Sequence, residues 1–135
     1  MATLKLEIVT PEAKVYSEEV DMVTLPGIEG ELGIFPMHIP LMTQLAAGEV
    51  AVRKDGQDFF LAVGDGFAEV TGESVSILTD MAVKDADIDE VKAEEARKRA
   101  ESRLAEKLDD EDVARVNAAL ANSAALLKVK RRRSR

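Results

Sequence analysis

The sequence contains no cysteine and no tryptophan, and it has only one histidine among 135 residues. Without cysteine the chain can form no disulfide, no thiolate metal site and no thiol nucleophile. No apolar run reaches the length of a membrane-spanning helix, and residues 1–10 lack the pattern of a secretory signal. We therefore expect a soluble cytoplasmic chain that meets a membrane only through an integral partner.

Glycine, proline and aromatic residues are absent from the second part of the chain, where Ala, Glu, Lys, Arg and Leu dominate. Residues 1–83 carry 4 Lys+Arg against 14 Asp+Glu, a net charge of −10, whereas residues 84–135 carry 14 against 12, a net charge of +2. This change in composition predicts a domain boundary. We place one domain at residues 1–84 and a second, with a basic tail, at residues 85–135.

The first part has the pattern of short β-strands. Leu4, Leu6 and Ile8 alternate with two charged residues, as in a strand with one buried face. The Asp55-Gly56 pair favours a tight hairpin turn between strands at 50–53 and 58–63. Further strands are predicted at residues 20–25, 67–70 and 74–79. Short strands without intervening helices favour an antiparallel sandwich or barrel.

The second part has helical periodicity. Asp87, with Glu90 three positions later, is typical of a helix N-cap, so we predict a helix from Ile88 to about residue 107. An acidic run at residues 109–112 precedes a second predicted helix, from about residue 111 to residue 129. A short acidic turn between them indicates an antiparallel pair.

Each predicted helix has a narrow apolar stripe that is rich in alanine. The stripes comprise Ala93, Ala96, Ala100, Leu104 and Leu108 in the first helix, and Val113, Val116, Leu120, Ala124 and Leu127 in the second. Burial contributes roughly 0.8 kcal/mol per CH₂ group, so alanine stabilises a contact less than leucine. The pattern is consistent with a helical pair that detaches and docks again, and equally with a permanent cap.

The only histidine, His38, lies in a segment bounded by Pro36 and Pro40. Catalytic and metal sites usually combine several ligands or titratable groups, and the nearby carboxylates are only Glu29 and Glu31. The two prolines fix φ and remove backbone donors, which indicates a stiff loop. A stiff loop loses little entropy on binding, so we expect a contact surface, with no catalytic or metal-ligating residues.

The basic tail, residues 128–135, is the strongest charge run. Such a tail can contact an acidic protein surface or nucleic-acid phosphates. Because the first part is strongly acidic and no aromatic residue follows Phe67, contact with protein is favoured over nucleic acid. A free β-sandwich module that binds nucleic acid or another acidic ligand remains the alternative function.

Residues 30–50, GELGIFPMHIPLMTQLAAGEV, resemble the signature of the epsilon subunits of F-type ATP synthases. The similarity extends to LEIVTPEAKVYSEEVD at residues 6–21, to VGDGFAEV at residues 63–70, and to the Ile-Asp-x-x-Lys-Ala segment that begins at Ile88. It therefore covers essentially the whole chain.

The resemblance implies an all-β N-terminal sandwich of about ten short antiparallel strands, followed by a C-terminal antiparallel α-helical hairpin. It implies a non-catalytic rotor subunit in the central stalk, with the gamma subunit, the c-ring and the alpha and beta catalytic subunits as partners. The chain would be a peripheral protein at the cytoplasmic face of the cell inner membrane. The loop contacts to gamma and the c-ring would involve Glu31, Phe35, His38 and Met42.

In this family the helical hairpin lies folded on the sandwich or extends and restrains ATP hydrolysis. The implied inhibitory contacts to the catalytic subunits are Arg115, Lys128, Lys130, Arg131, Arg132 and Arg133. Some members also bind ATP in the folded hairpin. The matching residues here are Ile88, Asp89, Lys92 and Ala93, with Arg99 and Arg115 available. Lysine replaces an arginine of that motif and cannot form its bidentate fork, so no cofactor is expected.

Overall fold

A computed structural model describes residues 2–132 of the chain. Ten β-strands are followed by a short 3₁₀ turn and two α-helices. The strands are β1 (Leu4–Val9), β2 (Lys14–Val20), β3 (Met22–Gly27), β4 (Gly30–Ile34), β5 (Leu41–Leu45), β6 (Gly48–Lys54), β7 (Gln57–Val63), β8 (Gly66–Val70), β9 (Ser74–Thr79) and β10 (Ala82–Lys84). The 3₁₀ turn is Asp85–Asp87, and the helices are α1 (Glu90–Leu104) and α2 (Asp110–Arg132). The fold predicted from the sequence is therefore confirmed.

Local sequence explains most strands. In β1 the side chains of Leu4, Leu6 and Ile8 are buried, as the alternation predicts. Strands β6 and β7 form the predicted hairpin, whose turn residues Asp55 and Gly56 have φ values of 53° and 77°. The segment 20–25 does not form one strand, because β2 ends at Val20 and β3 begins at Met22.

The strands form one continuous sheet in the order β10-β7-β6-β3-β5-β8-β9-β1-β2, with β4 paired to β3. Strands β1 to β9 all contribute apolar side chains to its core. One pair of strands departs from the antiparallel pattern expected for this domain, since β1 and β9 are parallel. The chain reaches β9 only after forming seven other strands, and such a long connection permits a parallel pair.

Helix α1 begins later than predicted. Residues Asp85–Asp87 form the 3₁₀ turn, and Ile88 is extended with φ −78° and ψ 125°. The α-helix therefore cannot start at Ile88, and the predicted N-cap at Asp87 is wrong. Instead Asp89 caps α1, with its side-chain Oδ1 accepting a hydrogen bond from the backbone N–H of Lys92 at 3.1 Å.

The helices dock as a hairpin, here called the arm. Helix α1 packs on α2, and α2 packs on β6 and β7. The interface with the sheet is a small apolar cluster of Ala62, Ile88, Ala125 and Val129, flanked by Phe60, Met81, Val83 and Leu126. The stripe predicted for α2 was only partly correct. Val116 and Leu127 are buried, but Ala124 is exposed. Helix α2 packs on both α1 and the sheet, so its buried residues lie on two faces, which one predicted stripe does not describe.

Candidate protein-contact surfaces

The segment that joins β4 to β5, together with the first two residues of β5, presents a group of exposed apolar side chains, here called the apolar loop (residues 35–42). Ile34 at the end of β4 is buried, and the chain then leaves the sheet. The exposed fractions are Phe35 58%, Met37 82%, Ile39 76%, Leu41 36% and Met42 65%. A contiguous apolar group on a soluble surface is typical of a protein-contact site.

One backbone hydrogen bond joins the apolar loop to Gly72, between β8 and β9. The N–H of Met37 donates to the carbonyl oxygen of Gly72 at 2.8 Å, and Met37 has φ 67°. The Nδ1–H of His38 donates to the carbonyl oxygen of Ile39 at 2.7 Å. The histidine is thus engaged with the backbone. Among residues 2–132 no group of three or more His, Asp or Glu side chains could hold a metal ion.

A second apolar surface lies on the sheet, and the sequence reasoning missed it. Phe67 and Leu78 are 53% and 58% exposed and lie opposite one another on β8 and β9. Phe67 also faces Gln44 of β5, which shares its side of the strand with Met42. The sequence of β8 carries an indication of this surface. Neighbouring side chains of a strand point to opposite faces, so with Ala68 buried Phe67 must point outward. The apolar loop therefore continues onto the outer face of the sheet.

Glu31 occupies a different place from the rest of the predicted contact group. It is exposed on β4, opposite Pro26 of β3. The pKa of Arg132 is raised chiefly by its hydrogen bonds to Glu49, and the negative charge of Glu31 adds to this effect. Phe35, His38 and Met42 belong to the apolar loop or its flank, whereas Glu31 lies within electrostatic range of the end of α2.

The residues of the ATP-binding motif take part in capping, packing and ion pairing. Asp89 caps α1, while Ile88 and Ala93 are buried. Arg115 is ion-paired with Glu111 one turn away, with Nη2 and Oε1 at 2.8 Å. The side chains of Arg99 and Lys92 are exposed. The motif carboxylate and apolar residues therefore cap and pack the docked arm, and the expectation that no nucleotide binds here stays a prediction.

The basic end of α2 is engaged with other parts of the chain. Lys130 Nζ donates to the carbonyl oxygen of Asp85 at 3.4 Å. Arg131 and Arg132 form ion pairs with carboxylates of α1 and β6, described in detail below. Lys128 is exposed, and the predicted contact residue Arg133 lies outside the described residues. The tail predicted to contact partners therefore also contacts its own chain.

An open cleft of about 810 Å³ lies beside β2, β7 and the 3₁₀ turn. Burial, reinforced by the neighbouring Glu18, raises the pKa of Tyr16 in its wall to about 12. A hydrogen bond from Lys54 lowers the pKa of Glu18. Since Lys54 and Glu18 neutralise one another, we assign the cleft no ligand.

Comparison with known proteins identifies the class. The exposed apolar surface of this β-domain is typical of a protein that binds other proteins. The family profile of the beta-sandwich domain of the ATP synthase Delta/Epsilon chain matches residues 3–85, and that of the long alpha-helix domain of the same chain matches residues 86–131. The chain belongs to this family of ATP synthase delta/epsilon chains.

Relatives and solved structures agree with this assignment. The chain is 47% identical over 126 residues to the ATP synthase epsilon chain of Syntrophobacter fumaroxidans, covering 93% of this chain and 94% of that one. It is 45% identical over 133 residues to the epsilon chain of Herpetosiphon aurantiacus, covering 98% of both. A chain of the Euglena gracilis mitochondrial ATP synthase OSCP/F1/c-ring structure superposes with a TM-score of 0.77 at 26% identity, covering 93% of this chain and 80% of that chain.

The fold also recurs in the central stalk/c-ring structure of the Tetrahymena thermophila mitochondrial ATP synthase, with a TM-score of 0.56 at 16% identity over 96% of this chain and 99% of that chain. Within residues 2–132, no helix is long and apolar enough to cross a membrane. The chain is thus an ATP synthase chain of the epsilon type, and the alternative of a free nucleic-acid-binding module is not favoured.

Proposed function

We propose that the chain is a non-catalytic rotor subunit that couples proton-driven rotation of the c-ring to ATP synthesis. Its partners are the gamma subunit, the c-ring and the alpha and beta catalytic subunits. It is held at the cytoplasmic face of the cell inner membrane as a peripheral protein, through the complex alone. In this proposal residues 1–84 bind the stalk and residues 85–135 regulate ATP hydrolysis.

One observation carries the stalk-binding part of the proposal. The apolar loop exposes five large apolar side chains on a backbone that two prolines and the Met37–Gly72 hydrogen bond hold in place. Burying such side chains in a partner contributes roughly 25 cal/mol per Å² of apolar area, and a stiff loop loses little entropy. We assign the gamma and c-ring contacts to Phe35, His38 and Met42 in the apolar loop and to Glu31 at its separate position on β4.

The regulatory part concerns the arm. In its extended form the arm would present Arg115, Lys128, Lys130, Arg131, Arg132 and Arg133 to the catalytic subunits and inhibit ATP hydrolysis. The cluster that docks it on the sheet is small and contains Ala62 and Ala125. Modest differences in contact energy can therefore shift it between two positions.

The loop assignment is tested by charge insertion. We expect the double substitution Met37→Asp and Ile39→Asp to abolish binding to gamma and the c-ring, because both carboxylates would be desolvated in the interface. Both side chains are largely exposed in the free chain, at 82% and 76%, so folding should be unaffected. Binding is measured by co-purification of the full chain with a gamma and c-ring complex.

Val91→Asp supplies the matched control, since Val91 is 68% exposed but lies on α1. It makes the same apolar-to-acid change away from the apolar loop and should bind as the unmodified chain does. If the Met37→Asp and Ile39→Asp variant also bound normally, the apolar loop would not be the contact surface.

A further inference from the structure

The last turn of α2 joins three separate elements of the protein. Lys130 reaches the backbone of the 3₁₀ turn through the carbonyl oxygen of Asp85. Arg131 reaches α1, where its Nε lies 3.0 Å from Glu90 Oε1 and its Nη2 lies 3.0 Å from Glu94 Oε2. Arg132 reaches the sheet. The end of the arm is therefore tied to its own beginning and to the β-domain.

The contact of Arg132 with the sheet has the features of a strong pair. Arg132 Nε donates to Glu49 Oε2 at 2.7 Å, and its Nη2 donates to the other carboxylate oxygen. The guanidinium also lies 4.8 Å from the ring centroid of Phe60. Two parallel hydrogen bonds and a cation–π contact fix the position of this side chain.

Glu49 is the unusual partner in this pair. Its side chain is only 8% exposed, whereas that of Arg132 is 46% exposed. A carboxylate this poorly hydrated is costly when it has no hydrogen-bonding partner. Removing the guanidinium of Arg132 would therefore leave the Glu49 carboxylate poorly hydrated and without this partner as long as the arm stays docked.

The carboxylate partners of Arg131 are more exposed to solvent than Glu49, the partner of Arg132. The side chains of Arg131 and Glu90 are 47% and 44% exposed, so salt screens this pair. Arg97 is the main cause of the lowered pKa of Glu94, and Arg131 adds to that effect. Arg131 thus joins α2 to α1 within the arm and does not itself connect the arm to the sheet.

From these contacts we infer that Arg132, Glu49 and Phe60 form a clasp that sets the balance between docked and undocked arm. The inference rests on the two arm positions of the proposed function and deepens it, while its test uses the chain alone and needs no ATP synthase partner. Two of the four buried residues in the apolar cluster beneath the arm are alanines, so the apolar contribution to docking is small enough for the clasp to shift the balance. Glu31, within electrostatic range of Arg132, favours the same docked position.

The absence of cysteine from the chain allows a direct test. Ala125 lies on the side of α2 that packs on the sheet and is 3% exposed. A thiol introduced by Ala125→Cys therefore reacts with a labelling reagent only when the arm leaves the sheet. A second reporter, Ala68→Cys, places a thiol in the fully buried core of the sheet and reacts only when the whole domain unfolds. The ratio of the two labelling rates in the full-length chain measures undocking separately from unfolding.

We expect Arg132→Gln to raise the labelling rate at Ala125→Cys by at least about tenfold, since a charge-assisted pair is lost. The rate at Ala68→Cys should stay unchanged. Arg53→Gln is the control, because Arg53 also forms a bidentate pair, with Asp58 within the β6–β7 hairpin, but the two side chains are 57% and 50% exposed and do not touch the arm. It should leave the rate at Ala125→Cys unaltered.

A double-mutant cycle completes the test. Glu49→Gln alone should also accelerate labelling, and Glu49→Gln combined with Arg132→Gln should accelerate it by less than the product of the single effects, because no buried carboxylate is then left unpaired. Strictly multiplicative effects, no acceleration by Arg132→Gln, or equal acceleration at both reporters would each overturn the clasp.

Discussion

Replacing Gly66 with alanine is expected to lower the free energy of unfolding by about 3 kcal/mol or more, because the new side chain has no space. A Cβ atom at this position would lie 1.9 Å from the carbonyl oxygen of Leu78 and 3.0 Å from Cα of Thr79. Both atoms belong to the backbone of β9, so no side-chain rotation relieves the contact. Gly66 pairs with β5 as well as β9, and three strands would have to move. Denaturant titration of the full chain measures the loss.

Gly72→Ala is the matched control for this substitution. The nearest atoms to a Cβ at Gly72 are Met37 Cα at 3.8 Å and His38 O at 3.9 Å, which are ordinary contact distances. We expect its free energy of unfolding to change by less than about 1 kcal/mol. Equal denaturation midpoints for the two variants would show that β8 and β9 are not as closely apposed as described.

The β-domain was largely predictable because its signals are local. Alternation identifies the buried face of β1, and Asp55-Gly56 specifies the β6–β7 turn without reference to the rest of the chain. The parallel pairing of β1 with β9 was not predictable in this way, since alternation is the same for parallel and antiparallel neighbours. Strand order depends on contacts between distant segments.

The start of α1 shows how two local signals compete. Asp87 with Glu90 matches a capping pattern, but Asp85–Asp87 forms a 3₁₀ turn that leaves Ile88 extended and buried. Packing of Ile88 into the cluster beneath the arm moves the cap to Asp89. Tertiary packing thus overrides a plausible capping sequence.

The contact surfaces were predictable only in part. Paired prolines indicated an exposed loop, but the most exposed side chains, Met37 and Ile39, were not singled out, because sequence alone does not tell which way an irregular loop turns. The clasp could not be predicted at all. Glu49 and Arg132 are 83 residues apart, and either one reads as an ordinary surface charge until the fold brings them together.

Deleting residues 85–135 from the chain in an assembled ATP synthase is expected to raise ATP hydrolysis several-fold while ATP synthesis stays coupled. Under the proposed function, the arm restrains hydrolysis and the apolar loop alone maintains the stalk contact. Deletion also uncovers Phe60, Ala62 and Val83 of the sheet, which the arm packs against. ATPase and proton-pumping assays on the same membranes separate a change in inhibition from a loss of coupling.

A reducible disulfide between the arm and the sheet tests the same idea without exposing the apolar residues that the deletion uncovers. Ala62 and Ala125 belong to the same cluster and come from β7 and α2, so a disulfide between Ala62→Cys and Ala125→Cys would hold the arm docked with the sheet still covered. Because the chain has no other cysteine, the bond is unambiguous. Oxidation should raise hydrolysis as the deletion does, and reduction should restore the restraint, whereas Ala125→Cys alone should not respond to oxidant. If the deletion and the disulfide both left hydrolysis unchanged, the arm would have no inhibitory role, and the clasp would then serve only to stabilise the folded chain.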